Sequence, residues 1–109
     1  MTHRLFICET CLDEAGATPG PNLAEAVRGK VAEDVEVVLT PCMNICDEPV
    51  SLALRAPGKM AYLFAGVKAG DEADIVALTE LYRAAEDGII EDARPAGRLR
   101  FCLKGRVPV

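Results

Sequence analysis

The chain has 109 residues and a formal net charge of −5, which suits a single acidic globular domain. Half of its residues are hydrophobic, but no run approaches the roughly 20 apolar residues of a membrane span, and no signal-peptide segment opens the chain. We therefore expect a cytoplasmic protein without a membrane partner, in which five cysteines point to metal or redox chemistry rather than to disulfides.

The first half of the sequence predicts a strand, a helix and a second strand. Residues 4–8 form a short apolar run, and the Gly- and Pro-rich residues 13–21 indicate a loop. A helix is expected from Pro21 to about Glu33, because apolar residues recur there at helical spacing. The β-branched residues 35–39 then predict the second strand.

The second half predicts a hairpin followed by a helix. Residues 49–55 alternate apolar and smaller side chains, residues 56–59 read as a turn, and residues 60–65 form the return strand. The helix is expected to run from an N-cap at Asp71 to about Asp87. The order β-α-β-β-β-α predicts an α/β fold of thioredoxin-like type, with a mixed four-stranded sheet covered by helices.

We expect residues 1–109 to form one domain, of which residues 94–109 are a basic C-terminal extension packed on the rest. Residues 1–93 carry a net charge of −10, whereas residues 94–109 carry five basic residues and no acidic one. The alternation of basic and apolar side chains in the extension is typical of a docked segment. The acidic body argues against nucleic-acid binding, which needs a basic footprint.

Four cysteines follow the two strands that are predicted to be parallel neighbours. Cys8 and Cys11 are separated by two residues, and Cys42 and Cys46 by three. Because these strands would end at the same edge of the sheet, the four thiolates can converge on one metal centre. Thiolates select zinc, Cu(I) or iron–sulfur clusters, and four cysteines are the usual ligands of a 2Fe-2S cluster. A zinc ribbon normally has two C-x2-C pairs, so the spacing favours the cluster.

The motif Cys42-x3-Cys46, followed by Asp47-Glu48-Pro49-Val50 on this order of elements, resembles that of the thioredoxin-like 2Fe-2S ferredoxins. In that family the first two cysteines are usually separated by a longer loop than the one between Cys8 and Cys11. The resemblance implies a homodimer that transfers one electron to a redox partner protein. It also implies a cluster held by Cys8, Cys11, Cys42 and Cys46.

The whole chain is similar to a small bacterial family of predicted metal-binding proteins. This resemblance includes Asp92-Ala93-Arg94-Pro95, Gly97-Arg98-Leu99-Arg100, Cys102-Leu103 and Gly105-Arg106-Val107-Pro108. Members of that family often occur near cobalamin or metal-uptake functions. The alternative function is therefore the binding, delivery or sensing of zinc or another thiophilic metal.

A third hypothesis is a dithiol oxidoreductase, because Cys8 and Cys11 follow a strand with thioredoxin-like spacing. In a thioredoxin motif the second cysteine opens a helix, whose dipole lowers the thiol pKa. Here the predicted helix begins about ten residues after Cys11, which argues against this function. Since no hydrolytic or phosphate-binding motif is present, the chain is not expected to be an enzyme.

The remaining candidate residues receive simpler interpretations. Cys102 is expected to be a buried residue of the extension, with replacement of Cys11 as a cluster ligand as the alternative. His3 is expected to lie on the surface. Three acidic residues beside the cysteines would form an exposed rim that docks a basic redox partner. They are Glu9, Asp47 and Glu48.

Overall fold

A computed structural model describes residues 2–41 and 48–109. The described strands are β1 (His3–Cys8), β2 (Val35–Thr40), β3 (Leu52–Arg55), β4 (Ala61–Phe64) and β5 (Leu103–Val107). The α-helices are α1 (Gly20–Arg28) and α2 (Glu72–Ala84), and a 3-10 segment, interrupted at Gly97, spans Arg94–Phe101. In the described part of the chain, no helix is both long enough and apolar enough to cross a membrane.

The strands form one mixed sheet in the order β2-β1-β3-β4-β5. β1 and β2 are parallel, with His3 opposite Val35 and Cys8 opposite Thr40, and the other neighbouring pairs are antiparallel. The connection from β1 to β2 contains α1, as a parallel pair requires. The predicted α/β arrangement is therefore confirmed.

The sheet has five strands, so the predicted number of four is wrong. The additional strand, β5, belongs to the basic extension and pairs with β4 at the edge of the sheet. Four of its five residues are exposed, and the central one is Gly105. Its basic and apolar side chains alternate, as expected of a docked segment, and the segment docks by pairing as a strand although neither of its faces is buried.

The 3-10 segment before β5 is fastened to the start of α2. Arg98 donates from its guanidinium to the Asp71 carboxylate and, over 2.7 Å, to the carbonyl oxygen of Gly66. Its backbone N–H donates to Oδ2 of Asp74 over 3.1 Å. Gly97 has a φ of 61°, and a Cβ there would lie 2.5 Å from Oδ1 of Asp74. Asp71 thus precedes α2 as predicted, but its carboxylate binds Arg98 and the backbone N–H of Lys68.

The hydrophobic core lies between the two α-helices and one face of the sheet. β1, β3 and β4 each contribute two large apolar side chains to that face, and α1 and α2 supply the opposite layer. These residues are Leu5, Ile7, Leu52, Leu54, Tyr62 and Phe64 from the strands, and Leu23, Val27, Ile75, Leu78 and Tyr82 from the helices. Burial on this scale, at roughly 1.5–3 kcal/mol for each large apolar side chain, is the main stabilising contribution to the domain.

His3 is buried, with 5 % of its surface exposed, so its predicted surface position is wrong. It begins β1, and its backbone N–H donates to the Asp34 carbonyl over 2.8 Å. The ammonium group of Lys59 lies 2.8 Å from Nε2 of His3 and also donates to the carbonyl of Tyr82. His3 Nδ1 lies 3.3 Å from Oδ2 of Asp34 without forming a hydrogen bond. Because an ammonium only donates, Nε2 must keep its lone pair, and the ring is neutral.

Burial and the charge of Lys59 lower the pKa of His3 below its ordinary value of 6.5. The unfolded chain therefore binds more protons than the folded one just below that pH. We predict that the free energy of unfolding decreases as the pH falls from about 7 to about 5. In His3→Gln, the amide oxygen can accept from Lys59 but does not titrate. The loss of unfolding free energy at low pH should therefore be smaller in this variant.

Urea denaturation of both proteins across this pH range checks the prediction. The carboxylates titrate in both proteins, so only the difference between the two curves reports His3. Parallel curves would show that His3 has the same pKa in the folded and unfolded chains.

Gly20 lets the start of α1 approach the end of β1. A Cβ at this position would lie 1.9 Å from the carbonyl oxygen of Cys8, well inside the distance at which atoms clash. The close approach fixes the last residue of β1 against the helix. Any larger residue at position 20 must displace the backbone of Cys8.

We predict that Gly20→Ala lowers the free energy of unfolding by about 1–3 kcal/mol, the usual cost of overpacking. Gly29→Ala is the matched control, because Gly29 has helical backbone angles and open space around its Cα. The control should be neutral or slightly stabilising. Equal stability of the two variants in urea denaturation would contradict the close contact between Gly20 and Cys8.

Candidate metal centre

Two of the predicted ligands, Cys8 and Cys11, form a buried thiol pair at the carboxyl end of β1. Cys8 is the last residue of the strand, and Cys11 follows after a short bend. Neither residue exposes more than 1 % of its surface, and each thiol shifts the pKa of the other. The structure therefore brings together the first predicted pair.

Two hydroxyl groups accompany the thiols. The Thr10 hydroxyl lies 3.4 Å from Sγ of Cys8, and the Ser51 hydroxyl lies 3.7 Å from Sγ of Cys11. Ser51 is completely buried. Neither residue was among the predicted site residues. Thr10 stands between the two cysteines in the sequence, whereas only the pairing of β1 with the chain before β3 reveals that Ser51 lies beside them.

The two thiols have different acidities. Burial alone would raise the pKa of Cys8, but hydrogen bonds with Thr10, Cys11 and Ser51 outweigh it and lower this pKa to about 7. Burial raises the pKa of Cys11, and its hydrogen bond to Cys8 raises it further. The first proton therefore leaves Cys8 near neutral pH, and the second is held more tightly.

The backbone of Cys8 and Glu9 is held on both sides by neighbouring chain. On one side, the N–H of Glu9 donates to the carbonyl of Thr40 over 2.8 Å. On the other side, the N–H of Cys8 donates to the carbonyl of Ser51 over 3.1 Å. In the sequence, Thr40 and Ser51 flank the segment that carries the second predicted pair.

The other two predicted ligands, Cys42 and Cys46, lie outside the described residues, and so does Asp47 of the predicted rim. Within residues 2–41 and 48–109, no three His, Cys, Asp or Glu side chains are grouped so as to hold a metal ion. The described part of the site is therefore a thiol pair with two supporting hydroxyls.

Cys102 lies in the extension, directly after the 3-10 segment. It is 5 % exposed, and its thiol donates weakly to the carbonyl of Arg98 over 3.7 Å. Burial raises the pKa of this thiol. The carbonyl of Cys102 accepts from the N–H of Ala65, which lies just beyond β4. In the sheet, β1 and β3 lie between β4 and β2. The expected burial is confirmed, and a role as a substitute ligand stays a prediction.

The acidic rim is partly neutralised. Glu48 is exposed, but its carboxylate lies 2.5 Å from the ammonium group of Lys104 in β5. Glu9 is exposed as predicted. The basic extension therefore pairs with one residue of the predicted rim, which the sequence did not indicate.

A cleft of about 790 Å³ lies beside Glu48 and Pro49. It is bounded by the loop around Glu14, by residues 65–69 and by the extension. Its basic side chains are Lys68, Arg98 and Lys104, and Phe101 and Cys102 also line it. The volume is in the range of small-molecule sites.

No helix begins at Cys11. Residues 11–19 are irregular apart from a turn and a bend at residues 14–16, and α1 starts only at Gly20. The pair therefore lacks the thioredoxin arrangement, in which the second cysteine opens a helix. The lowered pKa of Cys8 is caused by hydrogen bonding.

Comparison with solved structures supports the fold. The chain resembles a thioredoxin-like [2Fe-2S] ferredoxin from Aquifex aeolicus with a TM-score of 0.57 and 14 % sequence identity. The similarity covers 96 % of this chain and 92 % of the ferredoxin chain. At this identity the comparison shows a shared fold, and it confirms the predicted thioredoxin-like arrangement.

Sequence comparison gives a family without an assigned activity. No curated protein matches the chain. The matching family, described as "Protein of unknown function (DUF1636)", covers residues 5–109. The chain belongs to this family.

Proposed function

We propose that the chain is a small electron-transfer protein of ferredoxin type, which holds a 2Fe-2S cluster through Cys8, Cys11, Cys42 and Cys46. One observation carries the proposal. The buried pair Cys8 and Cys11 lies between Thr40 and Ser51, where the chain enters and leaves the segment with the other two cysteines.

The strand register supports convergence of the two pairs. Cys8 is directly opposite Thr40 on the neighbouring parallel strand, at a spacing of roughly 4.8 Å between strands. Cys42 comes two residues after Thr40 in the sequence, and two residues of chain span at most about 7 Å. Both ends of the intervening segment are thus anchored beside the first pair, which favours a single centre over two separate ones.

The described residues fit such a group chemically. Thiolates are its ligands, and the lowered pKa of Cys8 makes one thiolate available near neutral pH. Burial keeps water away from the pair, and the hydroxyls of Thr10 and Ser51 can donate to sulfur, which shifts a cluster's potential. A bound 2Fe-2S cluster supplies the exchange of a single electron, while these residues hold, shield and tune it. A redox partner protein would deliver or collect that electron.

The different acidities of the two thiols favour a dithiol oxidoreductase as a second candidate. A thiol with a pKa of about 7 beside one with a raised pKa can act as a nucleophile and a resolving thiol. The burial of both thiols opposes this function, because a substrate disulfide would have to reach a completely buried sulfur. The electron carrier is therefore preferred.

Replacement of a ligand should abolish cluster binding. We predict that Ser in place of Cys8, Cys11, Cys42 or Cys46 lowers iron and sulfide content to below about a tenth of the parent value, because each thiolate is needed. Iron and sulfide analysis of anaerobically purified protein, with its visible spectrum, provides the measurement. Cys102→Ser is the matched control, since Cys102 is also buried, and it should keep its iron.

The same preparation separates the alternatives. Coloured protein with equal iron and sulfide supports the electron carrier, and colourless protein with one bound zinc supports a thiophilic-metal protein. Metal-free protein with reversible oxidation of Cys8 and Cys11 supports the dithiol oxidoreductase. Full iron loading of Cys42→Ser or Cys46→Ser would contradict the proposed ligand set.

The Thr10 hydroxyl should control the acidity of Cys8. In a full-length chain with Cys42, Cys46 and Cys102 replaced by Ser, Thr10→Val should raise the pKa of Cys8 above about 7, because it removes a hydrogen bond to the thiolate. Ultraviolet absorbance of the thiolate as a function of pH measures this change.

Thr18→Val is the matched control, because Thr18 is exposed in the loop before α1. It should leave the titration unchanged. Identical titrations of the two valine variants would show that Thr10 does not stabilise the thiolate.

A further inference from the structure

We propose that the outer edge of β5 is a docking site for an acidic, extended segment of a partner protein, which pairs with β5 as an added strand. This inference is independent of any metal at the cysteines. It depends on the backbone, the exposed side chains and the charge of residues 100–107.

The backbone of β5 offers an open edge. On one side the strand pairs with β4, with Gly105 opposite Leu63 and Val107 opposite Ala61. On its other side, no strand pairs with it among residues 2–41 and 48–109. The unpaired N–H and C=O groups of such an edge are a template for another strand.

The side chains of this region are unusually apolar for an exposed surface. In the described part of the chain, six large hydrophobic residues are exposed, and four of them belong to residues 101–109. Phe101 is 74 % exposed, Leu103 41 % and Val107 54 %. Basic residues on an edge strand are a common protection against aggregation, which would account for Lys104 and Arg106. Protection does not account for the apolar side chains, because they promote association.

The positive charge of β5 and of the residues beside it indicates an acidic partner. The sequence contains no acidic residue after Asp92, and neither Arg100 nor Arg106 forms an ion pair within the described residues. Antiparallel pairing of two copies of β5 about Gly105 would place Lys104 opposite Arg106 of the second copy. Like charges directly opposite each other destabilise a strand pair, whereas opposite charges stabilise it. The edge therefore favours an acidic strand over a second copy of itself.

The cleft described above extends the docking surface. It lies at the start of β5, where Phe101 and Lys104 line it together with Lys68. A segment that pairs with β5 and continues past Leu103 would meet this opening. Its next apolar side chain would enter the cleft beside Phe101.

The test uses the isotope-labelled full-length chain and two synthetic peptides of about ten residues, one alternating Glu and Val and the other alternating Lys and Val. Addition of the acidic peptide should shift the amide resonances of residues 101–107, and its affinity should fall as salt increases. The basic peptide should bind at least about tenfold more weakly, because it repeats the charge of β5. Both peptides have the same apolar content, so the difference reports charge.

Variants identify the edge. Arg106→Glu should weaken binding of the acidic peptide by about fivefold or more, and Val107→Ser should weaken it through loss of an apolar contact. Lys30→Glu is the matched control, because it makes the same charge change at an exposed position after α1, and it should alter the affinity by less than about twofold. Equal binding of both peptides, shifts confined to other residues, or self-association through residues 103–107 would each overturn the proposal.

Discussion

The candidate site depends on the position of β1 between two neighbouring segments of chain. The hydrogen bond from Glu9 holds Thr40 on one side, and the hydrogen bond from Cys8 holds Ser51 on the other. Because a parallel strand and an antiparallel strand both meet β1 at its carboxyl end, one point of the sheet joins three distant parts of the sequence. Any centre that uses both cysteine pairs requires this arrangement, and Gly20 helps to maintain it by allowing α1 to contact the Cys8 carbonyl.

Sequence patterns predicted those features of the fold that arise from burial. The strands that supply the core alternate or are β-branched, and the crossover through α1 follows from their order. The alternation in β5 was interpreted as a docked segment and not as a strand, because basic residues and a central Gly are uncommon in strands. The position of His3 was not predicted, because its contacts come from Asp34 and Lys59, far away in the sequence. Long-range contacts also limit prediction of the site. The spacing of the cysteines in the sequence predicts that they act together, whereas Ser51 is recognised only once the register of the sheet is known.

The separation of charge along the sequence has a structural consequence. Arg98 and Lys104 point back to the acidic body, where they pair with Asp71 and Glu48. The extension thereby adds a fifth strand beside β4 and neutralises part of the acidic body, instead of remaining a solvated tail. Arg100 and Arg106 stay exposed. The described surface therefore combines a partly neutralised acidic residue, Glu48, with a basic edge at β5.

The acidities of Cys8 and Cys11 connect this geometry with metal binding. In a buried pair without metal, two negative charges would repel each other, so one thiol keeps its proton and donates to the other sulfur. A cation between the sulfurs removes that repulsion and makes loss of the second proton favourable, which couples metal binding to proton release. Thr10 and Ser51 lower the cost of the first thiolate. A second buried thiolate beside it would need a positive charge to be stable, so the proposed metal centre and full ionisation of the pair depend on each other.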